Sequence, residues 1–126
     1  VIPEDLRYTA EHEWVAGDGG GTVRVGITHY AQDALGDIVY VQLPDEGTAV
    51  EAGGSLGEVE STKSVSEIYA PLTGTVVRRN DQLADQPEII NTDPYGAGWL
   101  VEIELADPEA VERLLSAAAY RQLTES

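Results

Sequence analysis

Residues 57–71 read GEVESTKSVSEIYAP, and Lys63 near their centre is the only lysine in the chain. Glu58, Val59 and Glu60 alternate polar and apolar, the pattern of a strand with one buried face. Val65 to Tyr69 supplies β-branched and aromatic residues for a return strand. Between them, Ser61-Thr62-Lys63-Ser64 suits a type I turn with serine in its favoured first position. The stretch therefore reads as a β-hairpin with Lys63 at its tip, where the four-carbon stem carries the ammonium into water and within reach of a modifying enzyme. Six arginines supply the rest of the fixed positive charge, so one primary side-chain amine stands alone among Glu58, Glu60 and Glu67. An ordinary surface lysine would look the same, and what favours a covalent attachment point is its setting.

That setting includes an internal repeat. Residues 44–56 read PDEGTAVEAGGSL and residues 71–83 read PLTGTVVRRNDQL, with Pro, Gly, Thr, Val and Leu at identical offsets on either side of Lys63. Gly53 aligns with Asn80, the two residue types that most readily take a left-handed turn conformation. A duplicated strand-turn-strand unit around a hairpin predicts a small, quasi-symmetric β structure.

Toward the amino terminus, Val23, Val25 and Ile27 predict one face of a strand with Thr22, Arg24 and Gly26 on the other. Thr28 is placed to cap a short helix over 29–35, which Gly36 ends. Val39, Val41 and Leu43 predict the inward face of a second strand. Tyr8 and Trp14 read as core anchors. His12, in Glu11-His12-Glu13, lacks a second histidine at helical spacing and reads as structural or surface. GDGGG at 17–21 feeds a strand and not a helix, so it reads as a hairpin loop and not a phosphate cradle. Toward the carboxy terminus, 81–94 reads as a surface connection with at most a short strand at 88–90, and Trp99 as core filling before a strand over 100–105. Asp107 and Pro108 sit where the N-cap and first residue of a helix belong, and Val111, Leu114, Leu115 and Ala118 give its amphipathic stripe, predicting a helix near 108–122.

Composition narrows the function. A formal charge of −16 over 126 residues argues against nucleic acid and anionic membranes, both of which repel such a chain, and favours a protein partner with a basic face. No apolar run approaches a membrane span, and no signal-peptide pattern is visible from Val1 onward. Cysteine is absent, so any redox chemistry must come from a cofactor. With two histidines, no cysteine and no nucleophile elbow read in the sequence, catalysis by the chain alone is not expected.

Four blocks carry a family resemblance: LRYTAEHEWV at 6–15, VGITHYAQDALGDIVYVQLP at 25–44, the lysine stretch at 57–71, and NTDPYGAGWL at 91–100. Together they resemble the H protein of the glycine cleavage system over nearly the whole chain. The resemblance implies one lipoyl-carrier domain over 1–126, mainly β, a barrel-sandwich hybrid of two antiparallel sheets of the lipoyl/biotinyl kind. It implies lipoic acid in amide linkage on Lys63, with Glu60 and Gly74 matching the positions that a lipoyl ligase or transferase reads. The implied work is that of a non-catalytic shuttle. Its arm takes an aminomethyl group from glycine on a pyridoxal-phosphate glycine decarboxylase, passes it to a folate-dependent aminomethyltransferase, and is reoxidised by dihydrolipoyl dehydrogenase. The implied carrier is a monomer, in bacterial cytoplasm or a mitochondrial matrix. Such proteins shelter the loaded arm in a surface cleft, for which Glu13 is the candidate carboxylate, its other reading being a solvated strand-edge acid. A histidine common in relatives just before the Leu35-Gly36 pair is Ala34 here, so that wall of the cleft departs from the pattern. Two other readings stay open. One is a different carrier, a biotinyl domain or a lipoyl domain of a 2-oxoacid dehydrogenase, although the methionines that flank a biotinyl lysine and long Pro/Ala-rich linkers are both absent. The other is an unmodified acidic binding module.

Overall fold

Alternation of buried and exposed side chains organises both sheets. The computed structural model describes residues 2–17 and 20–125. A six-stranded sheet is built from β1 (Arg7–Tyr8), β2 (Glu13–Gly17), β3 (Thr22–Ile27), β9 (Val101–Leu105), β8 (Gly74–Arg79) and β5 (Ala49–Val50), in that order, with every neighbouring pair antiparallel. Val23, Val25 and Ile27 face inward from β3 as predicted, and Val101, Ile103 and Leu105 do so from β9. Gly17 and Gly21 flank the predicted 17–21 loop between β2 and β3, of which Asp18 and Gly19 lie outside the described residues. On the outer side, Trp14 lies over Gly26, where a Cβ would stand 2.5 Å from the indole, and Trp14 Nε1 donates to the Pro94 carbonyl. Trp99 is buried as expected, with the Arg24 and Arg78 guanidiniums over its ring at 4.5 and 5.3 Å.

The second sheet has three antiparallel strands, β4 (Ile38–Gln42), β6 (Ser55–Ser61) and β7 (Val65–Tyr69), with β6 central. Ile38, Leu56, Val59 and Ile68 turn inward from it and join Val15, Val23, Val25, Val76 and Ile103 of the other sheet in one apolar cluster, so the core lies between the sheets. Two antiparallel sheets packed as a sandwich bear out the predicted fold class. Between β3 and β4, α1 (His29–Leu35) begins and ends where the sequence places it. Thr28 Oγ1 accepts the Ala31 N–H, and Gly36, at φ 84°, donates its N–H to the Gln32 carbonyl.

Four details differ from expectation. Ile38 pairs with Ser61 and Tyr40 with Glu60, which leaves Val39 as an extra residue in a bulge, exposed where the alternation predicts burial. The 81–94 connection contains two helical turns, α2 (Gln82–Asp85) and α3 (Ile89–Thr92), and no strand at 88–90. Leu83 and Ile90 each reach the core from turns too short to show a helical period. The predicted helix over 108–122 is broken: a 3₁₀ segment (Pro108–Arg113) is followed by Leu115, which exchanges both backbone hydrogen bonds with Tyr8 at 2.9 Å, and only then by α4 (Ala117–Glu125). That bridge resets the helical face, so Ala117 and Tyr120 are buried and Ala118 is exposed.

The repeat, finally, pairs with itself without being symmetric. Ala49 faces Thr75 and Val50 faces Gly74, and a register shift between Val76 and Arg78 leaves Val77 as an extra residue in β8, so that Val50 is 7% exposed and Val77 41%. Gly53 takes a left-handed φ of 84°. Asn80 does not, and instead donates from Nδ2 to the carbonyls of Ala97 and Trp99 at 2.8 Å.

Candidate functional site at the lysine hairpin

The hairpin pairs Glu60 with Val65, Val59 with Ser66 and Glu58 with Glu67. Its tip is closed by Ser61, whose N–H donates to the Ser64 carbonyl at 2.8 Å and whose Oγ accepts the N–H groups of both Lys63 and Ser64 at 3.1 Å. A serine hydroxyl thus takes the place of the backbone acceptor that a type I turn would offer. The Ser61 side chain is buried, and Thr62, Lys63 and Ser64 are exposed. Thr62 N–H donates to the Asp37 carbonyl at 3.0 Å, which fastens the tip to the loop after α1.

Lys63 lies where the sequence places it, exposed at the tip. Its stem passes over Gly36: a Cβ built on that glycine would be 3.2 Å from Lys63 Cε and 3.6 Å from Nζ. Gly36 therefore does two things, ending α1 and leaving room for the lysine. Only the first is visible in the sequence.

Glu60 is exposed on the same hairpin, one cross-strand step from Tyr40 on one side and Val65 on the other. Gly74 is elsewhere, in β8 of the six-stranded sheet. A Cβ there would collide with the Glu104 carbonyl oxygen and stand 2.7 Å from Ile103 Cγ2, so close passage of β9 already requires glycine at this position. Glu60 and Lys63 share the hairpin, and Gly74 lies in the other sheet.

Glu13 overturns the solvated-acid reading. It is 1% exposed at the start of β2. Oε1 accepts from Thr9 Oγ1 at 2.7 Å, Oε2 accepts the Tyr69 N–H at 3.3 Å, and the Glu13 N–H returns to Thr9 Oγ1 at 3.1 Å. Burial pushes its carboxyl up to about 7, against the opposing pull of the Thr9 and Tyr69 hydrogen bonds. Tyr69 ends β7 six residues from Lys63, at most ~20 Å of extended chain. The carboxylate and the amine thus stand at opposite ends of one strand. Ala34 is exposed on α1 and carries no polar side chain.

His12 is structural. At φ 71° it directs Nδ1 to the Tyr120 hydroxyl at 2.7 Å, and Thr28 Oγ1 meets the same hydroxyl at 2.7 Å. Burial lowers the His12 pKa, while the Tyr120 phenol is pushed up to about 12, chiefly by burial. The sequence reading missed this network because its members are far apart in the chain. It also missed Thr9, whose spacing from Glu13 matches no common motif. Residues 53–57, GGSLG, do have the spacing of a nucleophile elbow. Ser55, however, opens β6 opposite Tyr69, away from any strand-to-helix turn, and among the described residues the His12 and His29 side chains meet Tyr120 and Gln32 instead.

The hairpin thus holds the one side-chain amine in water at its tip and meets a buried carboxylate at its far end. Known proteins agree with that geometry. The sequence profile of the glycine cleavage H-protein family matches residues 6–126. The chain is 58% identical over 129 residues to the glycine cleavage system H protein of Mycobacterium avium, covering 98% of each chain. It is 60% identical over 124 residues to that of Micrococcus luteus, covering 98% of this chain and 97% of the relative. Among solved structures, a crystal structure of a glycine cleavage system H protein from Mycobacterium marinum superposes with a TM-score of 0.89 at 48% identity, over 99% of this chain and all of that one. Fold, lysine hairpin and full-length similarity coincide, and the chain belongs to the glycine cleavage H-protein family.

Proposed function

We propose that the chain is a single carrier domain whose Lys63 bears lipoic acid in amide linkage, as the moving component of glycine cleavage. When attached, the dithiolane would supply the chemistry: taking up the aminomethyl group at the glycine decarboxylase, yielding it to the aminomethyltransferase, and being reoxidised by dihydrolipoyl dehydrogenase. The observation that carries this reading is the isolation of Lys63, the sole lysine, exposed on a turn tied down by Ser61 and Asp37. Such a support holds the attachment point still while a tether raises the local concentration of its cargo at each partner.

The remaining residues take supporting roles in this proposal. Glu60, beside the lysine and in water, is available to an attaching enzyme. Gly74 lets β8 and β9 meet, so any effect of its replacement on attachment passes through the fold. Glu13 is the carboxylate toward which a cationic amine on the loaded arm would turn. Burial penalises its charged form, and a positive charge arriving beside it would offset that penalty.

Intact mass spectrometry of the chain from its natural source, with peptide mapping across 57–71, tests the proposal. A lipoyl amide on Lys63 is the expected result. An unmodified Lys63 in a host that lipoylates its other carriers would overturn it, and a biotinyl mass would reassign the chain's cargo.

A further inference from the structure

Asn91, in α3, is half-buried and spends its carboxamide on one strip of chain. Oδ1 accepts the Ile38 N–H at 2.9 Å, while Nδ2 donates to the Gly36 carbonyl at 2.9 Å and to Gln32 Oε1 at 3.0 Å. The two backbone partners fix which end of the amide is oxygen, because an N–H needs an acceptor and a carbonyl a donor. Among the described residues no other side chain hydrogen-bonds to the backbone of 36–38. That strip carries the lysine turn. Ile38 pairs with Ser61, the Asp37 carbonyl accepts the Thr62 N–H at 3.0 Å, and Gly36 lies under the Lys63 stem, where a Cβ would stand 3.2 Å from Cε. Residues 38, 37 and 36 thus meet 61, 62 and 63 one for one.

We propose that Asn91 is a positioning residue for Lys63, acting through the 36–38 strip on which the turn rests. The inference rests on the carrier reading above and gives it a part outside the hairpin. Two physical arguments support the assignment. The first is that the strip has little support of its own. It leaves α1 at Gly36, whose carbonyl lies past the end of the helical ladder, and enters β4 just before the bulge at Val39. A carboxamide bonded at both ends of those three residues fixes their path where neither regular element does. The second concerns presentation. An enzyme that works on the amine must bind the turn, and a turn already ordered costs nothing to order on docking, whereas a loosened one does. Asn91 therefore bears on where the amine is held and leaves the reactivity of the amine itself alone.

The test compares wild type with Asn91→Ala and with Asn80→Ala, which removes the same kind of brace, two Nδ2 bonds to backbone carbonyls, from the turn before β9. Asn91→Asp keeps the acceptor for Ile38 and loses only the donors, so it carries the test if the alanine variant does not fold. Backbone order parameters at 61–64 are expected to fall from about 0.85 toward about 0.6 in the Asn91 variant alone, and the Thr62 amide to exchange about ten-fold faster. With a purified lipoate–protein ligase, ATP and lipoic acid, kcat/KM for acylation of Lys63 should drop about five-fold in the Asn91 variant and stay at the wild-type value in Asn80→Ala. Acetylation of Lys63 by a small N-hydroxysuccinimide ester, which needs no docking, should run at one rate in all three, read on the 57–71 peptide. An Asn91 variant whose turn stays ordered overturns the proposal. So does equal loosening in Asn80→Ala, which would make the effect one of general stability, and so does a loosened turn that the ligase acylates at the wild-type rate. A wild type that is not acylated on Lys63 defeats the carrier reading, while the order parameters still decide whether Asn91 holds the turn.

Discussion

Glu13 Oε2 accepts the backbone N–H of Tyr69 at 3.3 Å, and so ties the start of β2 to the end of β7 farthest from the lysine turn. The carboxyl is lifted from 4.5 to about 7 by burial, so the folded chain holds this proton more tightly than the unfolded one. A raised carboxyl pKa contributes its stability in full below the unfolded value and loses it as pH rises through the folded value. Urea titrations are expected to show wild type losing on the order of 2–3 kcal/mol between about pH 4.5 and 7.5 through this group. Glu13→Gln, neutral throughout, should have a visibly flatter profile. Profiles of equal slope would place the titration in other acids.

Gly74→Ala puts a methyl group against the Glu104 carbonyl, a backbone atom that cannot rotate away. A loss of about 1–3 kcal/mol or more is expected from forcing β8 from β9, read as a lower denaturation midpoint. Acylation of the fraction that remains folded should proceed at the wild-type rate. Slow acylation of a variant with unchanged stability would instead show that this glycine is read directly.

Tyr120→Phe removes the hydroxyl shared by His12 and Thr28 and leaves the buried Thr28 side chain with one partner fewer. Thermal unfolding should report a loss of about 1–3 kcal/mol. The ring stack on Tyr8, with centroids 4.7 Å apart, is kept by phenylalanine, so an effect of this size isolates the hydroxyl.

Lys63→Arg should be silent in stability, within about 0.5 kcal/mol, because the side chain is exposed. Its guanidinium stays protonated and does not acylate. Mass spectrometry after treatment with ligase, ATP and lipoic acid should find no added acyl group, and an acylated variant would place the attachment point elsewhere.

Much of this was legible residue by residue. Thr28 and Gly36 bound their helix as local capping chemistry says they should, and the alternation at 58–60 with the β-branched and aromatic residues of 65–69 located the hairpin, although the return strand alternates too loosely to fix its register. Val39 misled because a bulge inserts one residue without changing the apolar pattern. The turns holding Leu83 and Ile90 were invisible because one buried residue per turn is no periodicity. Leu115 broke the terminal helix through a bridge to Tyr8, 107 positions away, and nothing local announces such a partner. At the site, the exposure of Lys63 followed from its turn. The depth of Glu13 did not, since burying a carboxylate depends on Thr9 and Tyr69 arriving together.

The hairpin is pinned at both ends, by Thr62 on the Asp37 carbonyl and by Tyr69 on Glu13. A ribbon fixed at two points has no hinge. A group attached to Lys63, as proposed, would move by torsion about the single bonds beyond the Lys63 Cα, on the picosecond-to-nanosecond scale of exposed side chains. On the carrier proposal, the attached arm would be a rotor on a stationary mount. Backbone order parameters at 61–64 should match those of the sheets, while the Lys63 methylenes lose order toward Cε.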